Sequence, residues 1–250
     1  MISTSDINED IQSELVSTNG IRLEVDKCGD QKSDKLAILL HGFPEHAVSW
    51  RFQMPMLAEM GFKVWAPNLR GYGNSAMPPL MGDYSLENLM ADVGGLIDAA
   101  KCEEVTLIAH DWGAVVAWYF AIRKIRPLKR LIICNVPHPA AMQGGLTWQQ
   151  LRKSWYIFFF QIPGLPEWAT SRRRQGMGDL IRDTCAAPQN FSADIMRLYN
   201  ENGRRPGGIT AMINYYRALV RGGGGRRQRD LGTPIIETPT LMLRGEDALA

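Results

Sequence analysis

The sequence predicts an α/β protein: a mostly parallel sheet flanked by helices, with a helical cap inserted late in the chain. Three observations predict it. Short apolar runs alternate with helix-spaced segments as far as Val136. From Pro137 to Gly232 the strand-like runs stop, while aromatic and arginine content rises. Strand character then returns at 238–250. Strands separated by helices pair in parallel through right-handed crossovers. The expected organisation is a first core part (1–136), a helical cap (137–232) and a resumed core (233–250). An insert between sheet strands reads as a lid over the C-terminal sheet edge, where open parallel sheets place their sites.

The elements follow in order. LAILLHG (36–42) is an apolar run ending in glycine, which suits a strand buried on both faces. WRFQMPMLAEMG (50–61) is a helix candidate interrupted by Pro55 and stopped by Gly61. KVWAPNL (63–69) is a second buried strand. In 84–101, Leu86, Leu89, Met90, Val93 and Leu96 recur at helical spacing, with Ser85 as a cap. EEVTLIAH (103–110), WGAVVAWYFAIRK (112–124) and LKRLIICNV (128–136) give strand, helix, strand. Helix-like pieces of the cap are 149–161, 192–202 and 210–220. RGGGGRRQR (221–229) reads as a flexible loop, and SRRRQ (171–175) as a solvated basic patch, because no aromatic residues interleave either run.

Composition excludes several classes. Of 250 residues, 45% are hydrophobic and 22% charged, which suits an ordinary globular core rather than a disordered chain. A net charge of +2 gives no reason to expect nucleic acid or an anionic membrane as partner. Cys28, Cys102, Cys134 and Cys185 form no C-x-x-C pair, so a reducing compartment is the default and no metal site is implied. The polar N-terminal stretch has no signal-peptide pattern, and no run is long enough to span a bilayer. The expectation is a cytoplasmic protein.

The strongest chemical signal is Ala109-His110-Asp111-Trp112-Gly113, between a buried strand and a helix. A sharp strand-to-helix turn with small residues two before and two after lifts the middle residue out of the sheet, the nucleophile-elbow arrangement. Aspartate is also a favoured N-cap, so the pentapeptide alone carries both readings. A carboxylate is ionised at neutral pH and needs no base to act as a nucleophile. It can displace a leaving group at saturated carbon and form an ester. The chain has no G-x-S-x-G, which disfavours a serine esterase. The second signal, His41-Gly42-Phe43-Pro44-Glu45, follows the first buried strand. If the two strands are neighbours, the backbone N–H groups of Phe43 and Trp112 form an oxyanion hole. Gly71-Tyr72-Gly73-Asn74-Ser75-Ala76 fits a nucleotide-loop pattern, but Met77-Pro78-Pro79 follows instead of a helix start, so nucleotide binding is rejected. His46 and His138 read as loop and turn residues, and His110 as buried structure pointing away from Asp111.

Together HGFPE (41–45), RGYGNS (70–75), HDWGA (110–114) and NVPHP (135–139), in this order and spacing, resemble the α/β-hydrolase superfamily in its epoxide hydrolase branch. The resemblance runs from about residue 12 to Ala250. It implies an epoxide substrate opened with water to a vicinal diol through an aspartyl ester, with no metal or organic cofactor. NYYR (214–217) and the stretch around Trp155 resemble cap segments that supply two ring-opening acids, which implies Tyr216 and Tyr156. Phenols stay protonated at neutral pH and can hydrogen-bond the epoxide oxygen. Tyr215 is assigned to packing. Trp112, Phe43, Trp155, Phe158 and Phe159 are candidate pocket walls, with Trp112 and Phe43 as substrate contacts.

The sequence also departs from the family. The implied mechanism uses a histidine base late in the chain, whereas all four histidines here lie at or before His138. The relay acid implied after the cap falls on Asp247, with Glu246 behind it. These departures lead to the expectation of a C-terminally incomplete chain, lacking a last helix and strand, that alkylates itself at most once and is poorly soluble. Two competing readings are a haloalkane or haloacid dehalogenase with the same aspartate nucleophile, and a non-catalytic ligand-binding relative. Phe43 and the two tyrosines favour the epoxide.

Overall fold

A computed structural model of the chain describes residues 10–142, 155–171 and 176–245. Seven strands form one sheet: β1 (Gln12–Thr18), β2 (Ile21–Cys28), β3 (Lys35–Leu40), β4 (Lys63–Pro67), β5 (Glu104–His110), β6 (Arg130–Cys134) and β7 (Thr240–Leu243). Their order across the sheet is β1-β2-β4-β3-β5-β6-β7. β1–β2 and β2–β4 pair antiparallel, and the other four pairs are parallel. The antiparallel hairpin at the sheet's start is the part of the fold that the sequence patterns above do not mark.

The helices are α1 (Gln53–Glu59), α2 (Leu86–Ala100), α3 (Asp111–Ile122), α4 (Pro139–Met142), α5 (Trp155–Phe159), α6 (Leu165–Ser171), α7 (Met177–Thr184), α8 (Ala193–Arg204), α9 (Gly208–Val220) and α10 (Gly224–Asp230). Helices α4–α10 all lie in the stretch between β6 and β7. Ser85 caps α2 by accepting from the Asn88 N–H, and Ser192 caps α8 by accepting from the Ile195 N–H. Pro55 does not interrupt α1, because it sits in the first turn, where its missing N–H costs no intrahelical bond. The run 221–229 is not a loop: most of it forms α10, tied down by Arg227 and Gln228 bonded to Glu87.

The core sits on both faces of the central strands. Leu36 through Leu40 are fully buried, as are Leu107, Ala109, Leu131 and Ile133. Burial of each large aliphatic side chain stabilises the fold by roughly 1.5–3 kcal/mol before chain entropy is counted. The register aligns Leu40 with Ala109 and His110 with Cys134. The loops after β3, β5 and β6 therefore emerge side by side at one sheet edge. HGFPE, HDWGA and NVPHP lie on them.

Candidate active site

Asp111 is the first residue of α3 and has φ +50, a left-handed conformation that side chains other than glycine seldom adopt. This sharp turn places its carboxyl beyond the end of β5. Gly113 makes the turn possible: a methyl there would stand 2.5 Å from the Leu40 carbonyl oxygen and 2.6 Å from Leu40 Cβ. The Gly113 N–H instead donates to the His41 carbonyl at 3.1 Å and ties the elbow to the neighbouring loop. Gly42 is constrained in the same way, since an added Cβ would collide with the Asp111 side chain.

The Phe43 N–H donates to Asp111 Oδ1 at 2.8 Å, across a cis Phe43–Pro44 loop. The Trp112 N–H also bonds this carboxyl. The donor pair expected from the sequence thus converges on Asp111 in the free protein. Burial pushes the Asp111 pKa up, with the Glu45 carboxylate adding to it, and the Phe43 N–H, His110 and Trp112 N–H only partly offset this. Asp111 as a whole residue is nonetheless only half-buried.

Helix α9 presents Tyr215 and Tyr216 in opposite senses. Tyr215 turns into the core, 1% exposed, and its hydroxyl donates to the Arg70 carbonyl at 2.8 Å. Tyr216 turns to the elbow, with ring centroids 4.9 Å from Trp112, 5.2 Å from Phe43 and 5.1 Å from Phe160. Tyr156 on α5 meets it at 5.9 Å, and the two hydroxyls are hydrogen-bonding partners. Burial raises the pKa of both phenols, and the nearby Asp111 charge adds to it, so both stay protonated. Arg217 holds the two helices together. Its guanidinium donates to the Phe160 carbonyl at 2.8 Å, to the Ile162 carbonyl at 3.1 Å and to Glu167 at 2.6 Å.

The structure therefore brings Asp111, Phe43, Trp112, Tyr156 and Tyr216 to one place. Asp247 and Glu246 lie outside the described residues. Two candidate walls are misplaced: Trp155 and Phe158 are each 61% exposed. Phe160 takes their place against Phe43 and Tyr216. Sequence reasoning missed it, although its i+4 spacing from Tyr156 puts it on the same helix face.

The histidines also resolve. His41 is fully buried and neutral: burial lowers its pKa to about 4, its Nδ1–H donates to the Gly42 carbonyl, and its Nε2 accepts from the Leu69 N–H. His46 caps the short turn that follows it. His138 accepts from the Ala140 N–H and packs edge-on to Trp118. His110 is more exposed than expected, and Glu45 lies 3.5 Å from its Nδ1. Burial disfavours the imidazolium, but the Glu45 carboxylate outweighs this and raises the His110 pKa.

A cavity of about 300 Å³ is lined by Glu24, Asp26, His46, Asn74 and Arg205 among others, and includes neither Asp111 nor either phenol.

Comparisons with known proteins bear on the family. The alpha/beta hydrolase fold family model matches residues 36–247. The chain is 37% identical over 214 residues to the AB hydrolase superfamily protein YfhM of Bacillus subtilis, covering 85% of this chain and 74% of the relative. It is 39% identical to Epoxide hydrolase A of Mycobacterium tuberculosis, covering 92% and 80%. Against Epoxide hydrolase 2 of Caenorhabditis elegans it is 34% identical, covering 93% of this chain but 66% of the relative's length. Among solved structures, the epoxide hydrolase VrEH1 from Vigna radiata superimposes with a TM-score of 0.80 at 28% identity, covering 96% of this chain and 81% of that one. Epoxide Hydrolase A from Mycobacterium thermoresistibile does so with 0.74 at 30% identity, covering 94% and 82%. Likeness at this identity, across most of both chains and through the strands that carry the elbow, means that this chain belongs to the α/β-hydrolase fold family, in its epoxide hydrolase branch.

Proposed function

We propose that the chain opens epoxides through an ester on Asp111. The observation that carries this reading is the convergence of a carboxylate on a left-handed elbow, φ +50, with two phenols whose rings meet at 5.9 Å, one of them packed on the Phe43 and Trp112 that flank that carboxylate. The free oxygen of Asp111 attacks a ring carbon from behind. The ring C–O bond breaks, and its electron pair stays on the departing oxygen. Tyr156 and Tyr216 hydrogen-bond that oxygen, and one of them supplies its proton. The product is a hydroxyalkyl ester. Phe43 and Trp112 then hold the ester carbonyl oxygen, and their N–H groups stabilise the oxyanion formed when water adds. Where a base takes the water's proton and returns one to the tyrosinate left by ring opening, collapse of that adduct releases the diol and regenerates the carboxylate.

In this reading residues 137–232 act as the cap that delivers the phenols, and the core parts 1–136 and 233–250 carry the nucleophile and the relay acid. Small apolar or aryl epoxides suit walls made of Phe43, Trp112 and Phe160. For the 250-residue polypeptide, which has no histidine after His138, the expected outcome is an ester that persists. Incubation with styrene oxide followed by intact mass spectrometry tests this. One adduct per chain is expected, lost in Asp111→Asn. A folded wild-type chain that gains no adduct would refute the assignment. Halide release from haloalkanes without epoxide turnover would favour the dehalogenase reading instead.

A further inference from the structure

We propose that Asn202 is a positioning residue for the oxyanion loop, a role that rests on the reading of Asp111 as nucleophile. Asn202 lies near the end of α8 and is 2% exposed. Its Oδ1 accepts from the Gly73 N–H at 2.7 Å, and its Nδ2 donates to the Glu45 carbonyl at 3.2 Å. One carboxamide thus spans two loops at the sheet's C-terminal edge, the turn after β4 and the loop after β3.

The loop after β3 fixes its own shape. The Glu45 N–H donates to the Gly42 carbonyl at 3.0 Å, and the Gly42 N–H donates to Glu45 Oε2 at 3.1 Å. These internal bonds make residues 42–45 a stiff unit, so its placement is set at its ends. At one end the Phe43 N–H reaches Asp111 Oδ1 at 2.8 Å. At the other, Asn202 grips the Glu45 carbonyl from the helices between β6 and β7. Shifting that carbonyl carries the Phe43 N–H with it and turns the Asp111 carboxyl that this N–H holds, and a nucleophile moved by about 1 Å from its line of attack loses rate steeply.

The residue type fits the task. A carboxamide offers one acceptor and one pair of donors. An aspartate could still accept from Gly73 but would set a second acceptor against the Glu45 carbonyl. Other contacts of α8 dock the helix three and four residues further along the same connection, outside the 42–45 unit: the Tyr199 hydroxyl bonds Ser49 Oγ at 2.8 Å, and Ile195 is buried beside Val48.

The test compares the 250-residue wild-type chain with Asn202→Asp, and uses Tyr199→Phe as a helix-docking control. Adduct formation with styrene oxide is followed by intact mass, and hydrogen exchange is followed in the 41–47 segment. In Asn202→Asp the saturating adduct rate should fall about tenfold, with the half-saturation concentration changed by less than about twofold. Exchange in 41–47 should quicken. Tyr199→Phe should leave the rate within about twofold of wild type. Wild-type rate and exchange in Asn202→Asp would overturn the proposal, as would an equal loss in Tyr199→Phe. If Asn202→Asp does not fold, Asn202→Ser gives the same comparison. If the folded wild type forms no adduct, the epoxide reading fails on its own. The exchange measurement then decides the positioning role: quickened exchange sustains it, and unchanged exchange ends it.

Discussion

At the scale of single residues, the site is a carboxylate held under strain. A non-glycine residue in the left-handed region costs of order 1 kcal/mol, and at Asp111 that cost is offset by the Phe43 and Trp112 donors and by α3 behind it. The Phe43 N–H holds Oδ1 of this carboxylate, and in the proposed reaction the other oxygen attacks. In the proposed reaction the phenols share one task, so their removal should not be additive. Tyr156→Phe and Tyr216→Phe should each lower the adduct-formation rate by roughly 10–100-fold, with the double variant losing more than either. Initial rates by intact mass check this, with thermal midpoints confirming that all three variants fold. Wild-type rates in all three would remove the phenols from the mechanism. Tyr216 was legible through NYYR, but Phe160, Glu45 and Asn202 were not, because their roles depend on partners distant in sequence.

At the scale of elements, the decisive contact is α3 against the end of β3. Gly113 has no room for a methyl, because the nearest atoms are backbone and Cβ of Leu40. Gly113→Ala should destabilise the fold by about 2 kcal/mol or more, read as a lowered thermal midpoint with adduct formation lost in parallel. Wild-type stability in that variant would mean the helix can retreat without cost. The β1–β2 hairpin makes a different prediction. Asp26 on β2 accepts from the Ser13 hydroxyl but is 8% exposed, and burial raises its pKa to about 6, with Glu24 adding to the effect. In the unfolded chain an aspartate titrates near about 3.9. The folded state therefore holds this proton more tightly, so the Asp26 contribution is complete below about pH 3.9 and lost as pH rises through about 6. Asp26→Asn should raise stability at pH 7.5, by at most about 3 kcal/mol, and should match wild type below about pH 4. Thermal melts across pH 4–8 check it, and a pH-independent difference would exclude ionisation as the cause.

At the scale of the whole molecule, the sheet is unevenly covered. β3, β4 and β5 are buried on both faces, whereas every residue of β7 is exposed and its far edge pairs with no strand among the described residues. Leu241, Met242 and Leu243 are 52%, 44% and 49% exposed. An apolar unpaired edge is a template for intermolecular pairing. The 250-residue polypeptide should self-associate in a concentration-dependent way, and Leu241→Lys should shift it toward monomer in light scattering while leaving adduct formation intact. Equal association in both would place the contact elsewhere. No helix among the described residues is long and apolar enough to cross a membrane.

What the sequence by itself determined is the part written in local periodicity and short motifs. The buried runs that become β3 to β6, the helices α2, α3, α8 and α9, and the elbow at Asp111 are all readable because neighbours a few residues apart decide them. The β1–β2 hairpin was not readable. β1 is mostly exposed and β2 has no strict alternation, so their pairing is decided by contact with β4. α10 was misread from its glycines, because its stability comes from Glu87, far away in the chain. Only the tertiary structure decided which aromatic residues face Asp111, since helix rotation is set by packing. It also decided that one buried carboxamide joins two loops, since hydrogen bonds between residues over a hundred positions apart leave no periodic trace in the chain that makes them.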